Sequence, residues 1–289
     1  MATLRGVSAL ACISVDLLGL PALCRSLSIP ERSLPPAGFR AVAEHATARL
    51  AELLDRRGLP ATFFVGADDL EDRASAAAIG ALPRLGHELA LLGPPLAHLA
   101  RRAMAAALRE GRDALERLEG HRPSGVRLAE GALGPALLEE LEHLGFLYNS
   151  SIRCGLGVTR RPYRPSPRDP FRAGSAKLVE LPAGTPIIPH VPLTGELLAW
   201  IPKTLMPIAF HLVRERDFVA LHLQGVDLLD ESDGLGHELA AKARAHRIPA
   251  AIKLQRLSEF LEWLRDGSEI ATLEQAARWL APRLGEPIG

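Results

Sequence analysis

The chain has 289 residues and a formal net charge of +0, from 34 basic and 34 acidic residues. This balance excludes a general nucleic-acid-binding protein, which would normally show a basic excess. The length allows one α/β domain, here taken as residues 1–289, that needs neither disulfides nor a structural metal for stability. The odd set of three cysteines, Cys12, Cys24 and Cys154, is typical of a reducing compartment rather than of a disulfide framework.

The first predicted element is the apolar run Val7–Val15. It is too short for a signal peptide and lacks a small-residue cleavage site, so a buried strand explains it better. No stretch reaches the roughly 20 apolar residues that span a bilayer. We therefore expect a cytoplasmic protein, with contact to a membrane surface left open.

Short apolar runs then alternate with longer amphipathic ones. The predicted strands are Val7–Val15, Ala61–Gly66, His87–Leu92, Gly125–Ala129, Phe146–Asn149, Lys177–Leu181 and Phe218–Leu223. The predicted helices are Phe39–Arg57, Leu96–Leu118, Pro135–Leu144, Glu196–Arg214 (kinked at Pro202 and Pro207), Gly236–Ala245, Leu254–Leu264 and Leu273–Leu280. This alternation predicts a parallel sheet covered by helices. About seven strands favour a barrel, whose functional groups would lie at the carboxyl ends of the strands.

Three connecting segments allow more than one interpretation. The excursion Ile152–Ala176 contains the arginines Arg153, Arg160, Arg161, Arg164, Arg168 and Arg172. Arginine forks suit phosphates, although surface ion pairs are the plainer explanation. The loop Gly225–Gly236 is rich in acidic residues and is either solvated or orders a cation or a sugar hydroxyl. The apolar segment Leu197–Val213 is either a barrel helix or a surface that rests on a membrane or a partner.

Short motifs at or near the predicted strand ends carry a family resemblance. They are Ser14–Asp16, Leu59–Gly66, Gly86–Leu89, Gly125–Gly131, Leu144–Ser151, Tyr163–Pro165, Val179–Pro182 and Leu221–His222. In this order and spacing, over about residues 8–265, the chain resembles the polysaccharide deacetylases of the NodB-homology type. The resemblance implies an α/β fold, a distorted (β/α)7 barrel, and hydrolysis of an N-acyl group from an amino sugar with a divalent metal, usually zinc. Deformylases and deacetylases of lipid-linked amino sugars look somewhat closer than chitin-cleaving members.

The family's metal motif is degenerate in this sequence. Family members carry two histidines four residues apart after the Gly-His-Glu run. Counted from Gly86, these positions fall on Leu92 and Leu96, and the second acidic position beside Asp16 is Leu17. Neither His87 nor His98 restores a histidine pair. Because leucine cannot bind a cation, we expect that the family's zinc is lost and predict no metal ligands and no cofactor.

Other functional positions of the family are retained. The resemblance makes Asp16 the catalytic base or an acidic ligand, Arg127 the residue that orients it, and His222 the acid that protonates the leaving amine. Each also has a structural interpretation: a loop cap for Asp16, an ion pair at the barrel top for Arg127, and a hydrogen-bonded strand end for His222. The predicted substrate-binding residues are Glu130, Arg164, Gln224 and Asp227.

Three functions are compatible with these observations. The first is a deacetylase-like protein that binds a sugar or a lipid-linked sugar without metal catalysis. The second is an active hydrolase that removes an N-acetyl or N-formyl group from an amino sugar. The third is a structural partner that uses Leu197–Val213 for assembly. The chain has only 8 Phe, 3 Trp and 2 Tyr, which disfavours a binder of long glycans because stacking platforms are scarce.

Overall fold

In the computed structural model, the described residues are 9–94, 100–153, 161–188, 191–214, 216–242 and 247–284. The main sheet is built from parallel strands in the order β10-β1-β2-β3-β4-β5-β6. Strands β10 and β2 pair with the first and second half of β1, and β9 pairs with β1 along its whole length. Its strands are β1 (Leu10–Asp16), β2 (Thr62–Val65), β3 (Glu88–Leu92), β4 (Gly125–Arg127), β5 (Tyr148–Asn149), β6 (Val179–Glu180), β9 (Phe218–Gln224) and β10 (Glu269–Ala271). A small hairpin, β7 (Pro186–Ile188) and β8 (Val191–Pro192), stands apart.

The sheet curls until its two ends are joined through the main chain around Thr185. After β6, the amide of Ala183 donates to the carbonyl of Ile152 at 2.9 Å, beside the end of β5. Thr185 then donates its amide to the carbonyl of Ala220 in β9 at 2.8 Å, and its hydroxyl accepts from the amide of Ala220 at 2.7 Å. Seven strands, β1–β6 and β9, thus enclose a barrel that is distorted where this irregular segment replaces regular pairing.

The two faces of the sheet bury different cores, because side chains alternate along a strand. In β1, Leu10 and Cys12 belong to the cluster inside the barrel, and Ile13 and Val15 pack against the surrounding helices. The helices are α1 (Leu20–Ser26), α2 (Thr47–Asp55), α3 (Arg73–Ile79), α4 (Arg101–Glu119), α5 (Pro135–His143), α6 (Gly195–Trp200), α7 (Met206–Arg214), α8 (His237–Lys242), α9 (Ala250–Gly267) and α10 (Leu273–Leu280). Among the described helices, none has the length and apolar character that crossing a bilayer requires.

Helix α10 closes the barrel at the amino ends of the strands. Its residues Leu273 and Ala276 join the interior cluster. The carboxylate of Glu88 accepts hydrogen bonds from the amide of Glu274 at 2.9 Å, from the Thr62 hydroxyl at 2.7 Å and from the Tyr148 hydroxyl at 2.7 Å. These three hydrogen bonds tie α10 to the barrel floor at Glu88. With its floor closed, the barrel is open to a ligand at the carboxyl ends of the strands.

The structure corrects several predicted elements. The predicted helix Glu196–Arg214 is two helices, α6 and α7, because the chain breaks at Pro202. Pro207 does not kink α7: it lies in the first turn, where the missing amide costs no helical hydrogen bond. The prediction missed α1, α3, β10 and the β7–β8 hairpin, which are all short. Of the predicted helix Leu96–Leu118, residues 96–99 lie outside the described residues, and α4 begins at Arg101, after Ala100.

Candidate functional site

The carboxyl ends of three strands bring the predicted catalytic side chains together. Asp16 ends β1, Arg127 ends β4, and His222 lies near the end of β9. One carboxylate oxygen of Asp16 accepts a hydrogen bond from Nη1 of Arg127 at 2.5 Å, and the other lies 2.9 Å from Nε2 of His222. These three residues form one cluster at the mouth of the barrel, called here the Asp16 cluster.

Arg127 is held by more than its ion pair with Asp16. Its Nε donates to the carbonyl of Ser150 at 2.7 Å, and its Nη2 donates to the hydroxyls of Ser14 at 3.0 Å and Ser150 at 2.9 Å. The guanidinium carbon lies 4.0 Å from the centre of the Phe64 ring, within cation–π distance. With contacts on every side, Arg127 positions Asp16 and is not free to swing toward a ligand.

Asp16 is ionised in this environment. Burial by itself would raise the pKa of Asp16, because the charged form loses its hydration. The positive charge of Arg127 and the hydrogen bonds from Arg127 and His222 act against burial and prevail, so the pKa of Asp16 lies well below its ordinary value. The carboxylate is therefore a weak base, and both of its oxygens are already engaged by protein donors.

His222 is neutral at pH 7. Burial lowers the pKa of His222, Arg127 acts in the same direction, and Asp16 opposes them without reversing the shift. A neutral ring beside an ionised carboxylate donates its proton from Nε2, which leaves Nδ1 as an acceptor. The ring lines the cleft, so this acceptor belongs to a group that a ligand can approach.

Two adjoining cavities form the cleft above the Asp16 cluster. The first, called here the Asp16 cavity, has a volume of about 250 Å³, and its lining includes Asp16, Leu18, Leu92, Arg127 and Glu130. The second, the Trp200 cavity, has a volume of about 390 Å³, and its lining includes Thr194, Glu196, Leu197, Trp200 and Asp227. Both are lined by Arg153, Ala183, His222 and Gln224. Together they fall within the roughly 300–1,000 Å³ typical of small-molecule sites.

Three of the four predicted substrate-binding residues reach the cleft. Gln224 lines both cavities, Glu130 lines the Asp16 cavity, and Asp227 lines the Trp200 cavity. Glu130 lies 3.6 Å from Arg153 in an exposed ion pair.

Arg164 is not brought to the cleft. Its guanidinium donates to main-chain carbonyls at 2.6–3.2 Å, two where the excursion ends and two just after α10: Ala176, Lys177, Ala281 and Leu284. Those bonds hold residues 281–284, directly after α10, so Arg164 has a structural role and does not contact a ligand in the cleft. Of the other arginines of the excursion, Arg160 lies outside the described residues.

Asp227 is the most perturbed carboxyl group of the Trp200 cavity. Burial raises the pKa of Asp227 to about 7, although the amide of Gln224 and the charge of Lys253 act against the shift. The main-chain N–H of Gln224 donates a hydrogen bond to the carboxyl group of Asp227 at 2.8 Å. At neutral pH the carboxyl group is therefore divided between its two protonation states and can either accept or donate a hydrogen bond to a ligand.

The far wall of the cleft consists of residues that the sequence does not predict as functional: Thr194, Glu196 and Trp200. Thr194 pairs with His222 through an isolated bridge and caps α6, accepting a hydrogen bond from the amide of Leu197 at 3.2 Å. A threonine just before a helical pattern is a recognised start signal. That signal places the start of α6 but does not show that this start lies beside His222.

The sequence resemblance assigns the family's two histidine positions to Leu92 and Leu96 and its second acidic position to Leu17. Leu92 lines the Asp16 cavity, and Leu96 lies outside the described residues. Leu17 points into the core under the helices, and Leu18 lines the cavity instead. Among the described residues, no group of three or more His, Cys, Asp or Glu side chains is arranged to hold a metal ion.

No protein-family model matches this chain, and no curated protein matches it. Solved structures do resemble it. A Mycobacterium smegmatis protein assigned as a polysaccharide deacetylase has a TM-score of 0.66 and 20% identity, over 100% of this chain and 96% of the other. PuuE allantoinase has a TM-score of 0.64 and 13% identity, over 98% and 94%. BA3943, a CE4 family pseudoenzyme from Bacillus anthracis, has a TM-score of 0.51 and 7% identity, over 93% and 65%.

These likenesses establish the fold. The architecture is the distorted (β/α)7 barrel of the NodB-homology type, as the sequence predicted, and its structural neighbours include polysaccharide deacetylases. Because an allantoinase has a similar fold, the fold does not specify the substrate.

Proposed function

We propose that this chain is a polysaccharide-deacetylase-like protein that binds a sugar or a lipid-linked sugar in the cleft, without the metal centre of that family. The observation that carries the proposal is the state of Asp16. Arg127 and His222 each hydrogen-bond to one of its two oxygens. Asp16 and His222, the two retained family residues that could serve as metal ligands, are therefore bonded to each other.

Among the described residues that line the cleft, the available donors do not form a zinc site. Catalytic zinc sites use three protein ligands at about 2 Å and leave one position open. Around Asp16, the cavity instead presents Leu18 and Leu92. Zinc binding would require His222 to turn away from Asp16 and would place a divalent ion beside the Arg127 guanidinium. Both changes are unfavourable, because they break a buried hydrogen bond and bring like charges together.

A sugar fits the remaining chemistry of the cleft. Gln224, Thr194, Glu196 and Asp227 supply amide, hydroxyl and carboxyl groups that can hydrogen-bond to sugar hydroxyls. Trp200 adds an aromatic ring, to which the apolar face of a pyranose ring can pack. The size of the cleft favours one or two sugar units over a long polymer.

The cytoplasmic location predicted from the sequence stays a prediction.

Calorimetric titration tests this function. N-acetylglucosamine, glucosamine, an N-formylated amino sugar and a soluble prenyl-phosphate sugar are titrated into the full chain in EDTA. We expect at least one to bind, and Gln224→Ala to weaken it at least fivefold, because Gln224 lines both cavities. Glu52→Gln, on the exposed surface of α2, is the control and should bind as wild type does. Absence of binding, or binding that appears only with added zinc, would contradict the proposal.

A second candidate, an active metal-independent hydrolase for N-acetyl or N-formyl amino sugars, is favoured by one observation. Asp16 and His222 form an oriented carboxylate–imidazole pair whose ring lines the cleft. In such a pair, Nδ1 of His222 could take a proton from a water molecule that attacks the amide carbonyl, with Asp16 stabilising the imidazolium. Release of acetate or formate in EDTA, abolished by Asp16→Ala and by His222→Ala, would establish this activity in place of simple binding.

A further inference from the structure

A chain of hydrogen bonds leads from the buried carboxyl group of Glu180 to the Asp16 cavity. Oε1 of Glu180 accepts from the main-chain N–H of Ile152 at 2.9 Å, and Oε2 accepts from Nδ2 of Asn149. Oδ1 of Asn149 accepts from the hydroxyl of Ser151 at 2.5 Å. Ser151 lines the Asp16 cavity, and its Oγ also accepts from the main-chain N–H of Leu128 at 2.8 Å. The last member of the chain therefore faces a ligand in the cleft.

Glu180 and Asn149 themselves lie behind the cleft. Val179 and Leu181, on either side of Glu180, belong to the cluster inside the barrel, so Glu180 points to the outer face of the sheet. Asn149 is its partner in the register of β5 and β6 and shares that face. Both side chains are fully buried, and neither lines the cleft. A ligand would therefore meet Ser151 and neither of the other two residues.

Glu180 exchanges its proton near neutral pH. Burial raises the pKa of Glu180 from 4.5 to about 7, although the amide of Ile152, the side chain of Asn149 and the charge of Arg127 act against the shift. Arg127, on β4, is the charged group that opposes protonation. The excursion contributes Tyr163, which pairs with Glu180 through the main chain and donates its hydroxyl to a main-chain carbonyl.

Protonation of Glu180 requires a rearrangement of its partners. Ile152 and Asn149 both donate to the carboxylate, whereas a protonated carboxyl group needs an acceptor for its own O–H. Rotation of the Asn149 amide, which exchanges its oxygen and nitrogen, supplies that acceptor and turns Nδ2 toward Ser151. The Ser151 oxygen then accepts from both Asn149 and Leu128, and its proton becomes free to point into the cavity.

We propose that Glu180, acting through Asn149, determines whether Ser151 accepts a hydrogen bond from a ligand in the Asp16 cavity or donates one to it. With Glu180 ionised, Ser151 is an acceptor that suits a sugar hydroxyl or an N–H group. With Glu180 protonated, Ser151 is a donor that suits the carbonyl oxygen of an N-acyl group. Glu180 and Asn149 are thus positioning residues. The rotation of the Asn149 amide does not depend on sugar binding; its effect on a sugar rests on the proposed function.

NMR of the full chain without ligand tests the rotation. Carbon-13 of the Glu180 carboxyl group and nitrogen-15 of the Asn149 side chain are followed from about pH 5.5 to about pH 8.5. We expect both signals to move with one midpoint, at about 7. The nuclear Overhauser effect between the Asn149 amide protons and the β protons of Ser151 should be stronger at the lower pH, because Nδ2 then faces Ser151.

Glu180→Gln is the decisive variant, because its NH₂ group donates to Oδ1 of Asn149 while its oxygen still accepts from Ile152. Its Asn149 signal should stay at the low-pH position throughout. The matched control Glu88→Gln removes another buried carboxyl group, on the barrel floor, whose pKa is raised to about 7, and should keep the wild-type titration of Asn149. A Glu180 signal that does not titrate in this range would overturn the proposal, and so would an Asn149 signal that stays fixed while Glu180 titrates.

Calorimetric titration of N-acetylglucosamine tests the effect on a ligand. At about pH 5.5, wild type and Glu180→Gln should bind it equally, since Ser151 is a donor in both. At about pH 8.5, Glu180→Gln should bind it at least about threefold more tightly than wild type. Asp227, whose pKa is also about 7, affects both proteins alike, and Ser151→Ala should abolish the difference between them. Equal binding by both proteins at both pH values would overturn the effect on the ligand. Absence of binding by either protein would count against the proposed function, and the NMR titration would still decide whether the amide rotates.

Discussion

The ion pair between Asp16 and Arg127 is buried at the mouth of the barrel, where the two side chains are 14% and 5% exposed. A buried pair of this kind loses its hydration, and only good geometry with further hydrogen bonds compensates for that loss. The hydrogen bonds from Arg127 to Ser14 and Ser150, and from His222 to Asp16, supply this compensation. The pair thus fixes the geometry of the cleft whether or not any chemistry takes place there.

Removing one partner should therefore destabilise the protein strongly. Asp16→Asn leaves the Arg127 charge buried without a counter-ion, and we expect a loss of about 3–5 kcal/mol in the free energy of unfolding, measured by urea denaturation. Glu31→Gln breaks the exposed pair of Arg25 and Glu31, at 2.6 Å, and should cost no more than about 1 kcal/mol. Equal losses in the two variants would show that the Asp16 pair is not desolvated.

The titration of His222 gives a second test. Because burial and Arg127 lower its pKa while Asp16 opposes them, we expect His222 to titrate below the ordinary value of 6.5. Nitrogen-15 NMR should show a mainly neutral ring at pH 7.5 with its proton on Nε2. Asp16→Asn should move the titration to a still lower pH, since the opposing charge is then gone. A His222 that is charged at pH 7 would contradict the arrangement described.

Glu88 on the barrel floor predicts how stability changes with pH. Burial raises its pKa from 4.5 to about 7 in the folded state. Between these pH values the folded state binds more protons than the unfolded state. The stabilisation that protonated Glu88 gives to the folded state is therefore complete below about pH 4.5 and is lost as the pH rises through about 7.

Glu88→Gln removes that dependence. The amide oxygen can still accept from Thr62 and Glu274, and its NH₂ group can donate to Tyr148. Relative to wild type, we expect a gain on the order of 1–3 kcal/mol in unfolding free energy at pH 7.5 and a much smaller difference at pH 5. Urea denaturation at both pH values measures this, with the exposed Glu44→Gln as control. A variant that is equally destabilised at both pH values would exclude a titrating Glu88.

Packing inside the barrel gives a test of the fold. A Cβ atom added at Gly125 of β4 would lie only 2.1 Å from the Tyr148 hydroxyl oxygen, and Tyr148 is fully buried. We expect Gly125→Ala to cost at least about 1–3 kcal/mol, since overpacking forces the ring or the strand to move. Gly134→Ala, which would meet no atom within 4 Å, should cost less, about 0.5–1 kcal/mol, because alanine is a poorer N-cap of α5 than glycine. Similar thermal unfolding of both variants would contradict the close approach of β4 to Tyr148.

The sequence predicted the Asp16 cluster for a physical reason. The carboxyl ends of parallel strands meet at one edge, so Asp16, Arg127 and His222 could be placed together without knowing any loop. Leu18, just beyond the end of β1, lines the same cavity as Asp16. The second acidic position, Leu17, points to the helices instead.

Other parts of the site depend on packing that a local pattern does not contain. Trp200 reaches the cleft because the break at Pro202 ends α6 and because the main chain around Thr185 closes the barrel at β9. Arg164 was misassigned because the arginines of a long excursion look alike in sequence. Which of them faces a ligand and which clamps the main chain next to α10 is decided only by the course of that excursion.

The central claim is that this chain has the NodB-type barrel without the metal centre of the deacetylases. The zinc content of the purified chain tests it most directly. The full chain is incubated with excess zinc, dialysed, and examined by elemental analysis beside Asp16→Ala. We expect no stoichiometric zinc in either protein, because Asp16 and His222 are bonded to each other and Leu92 lines the cavity. About one tightly held zinc ion per wild-type chain, lost in Asp16→Ala, would contradict the account.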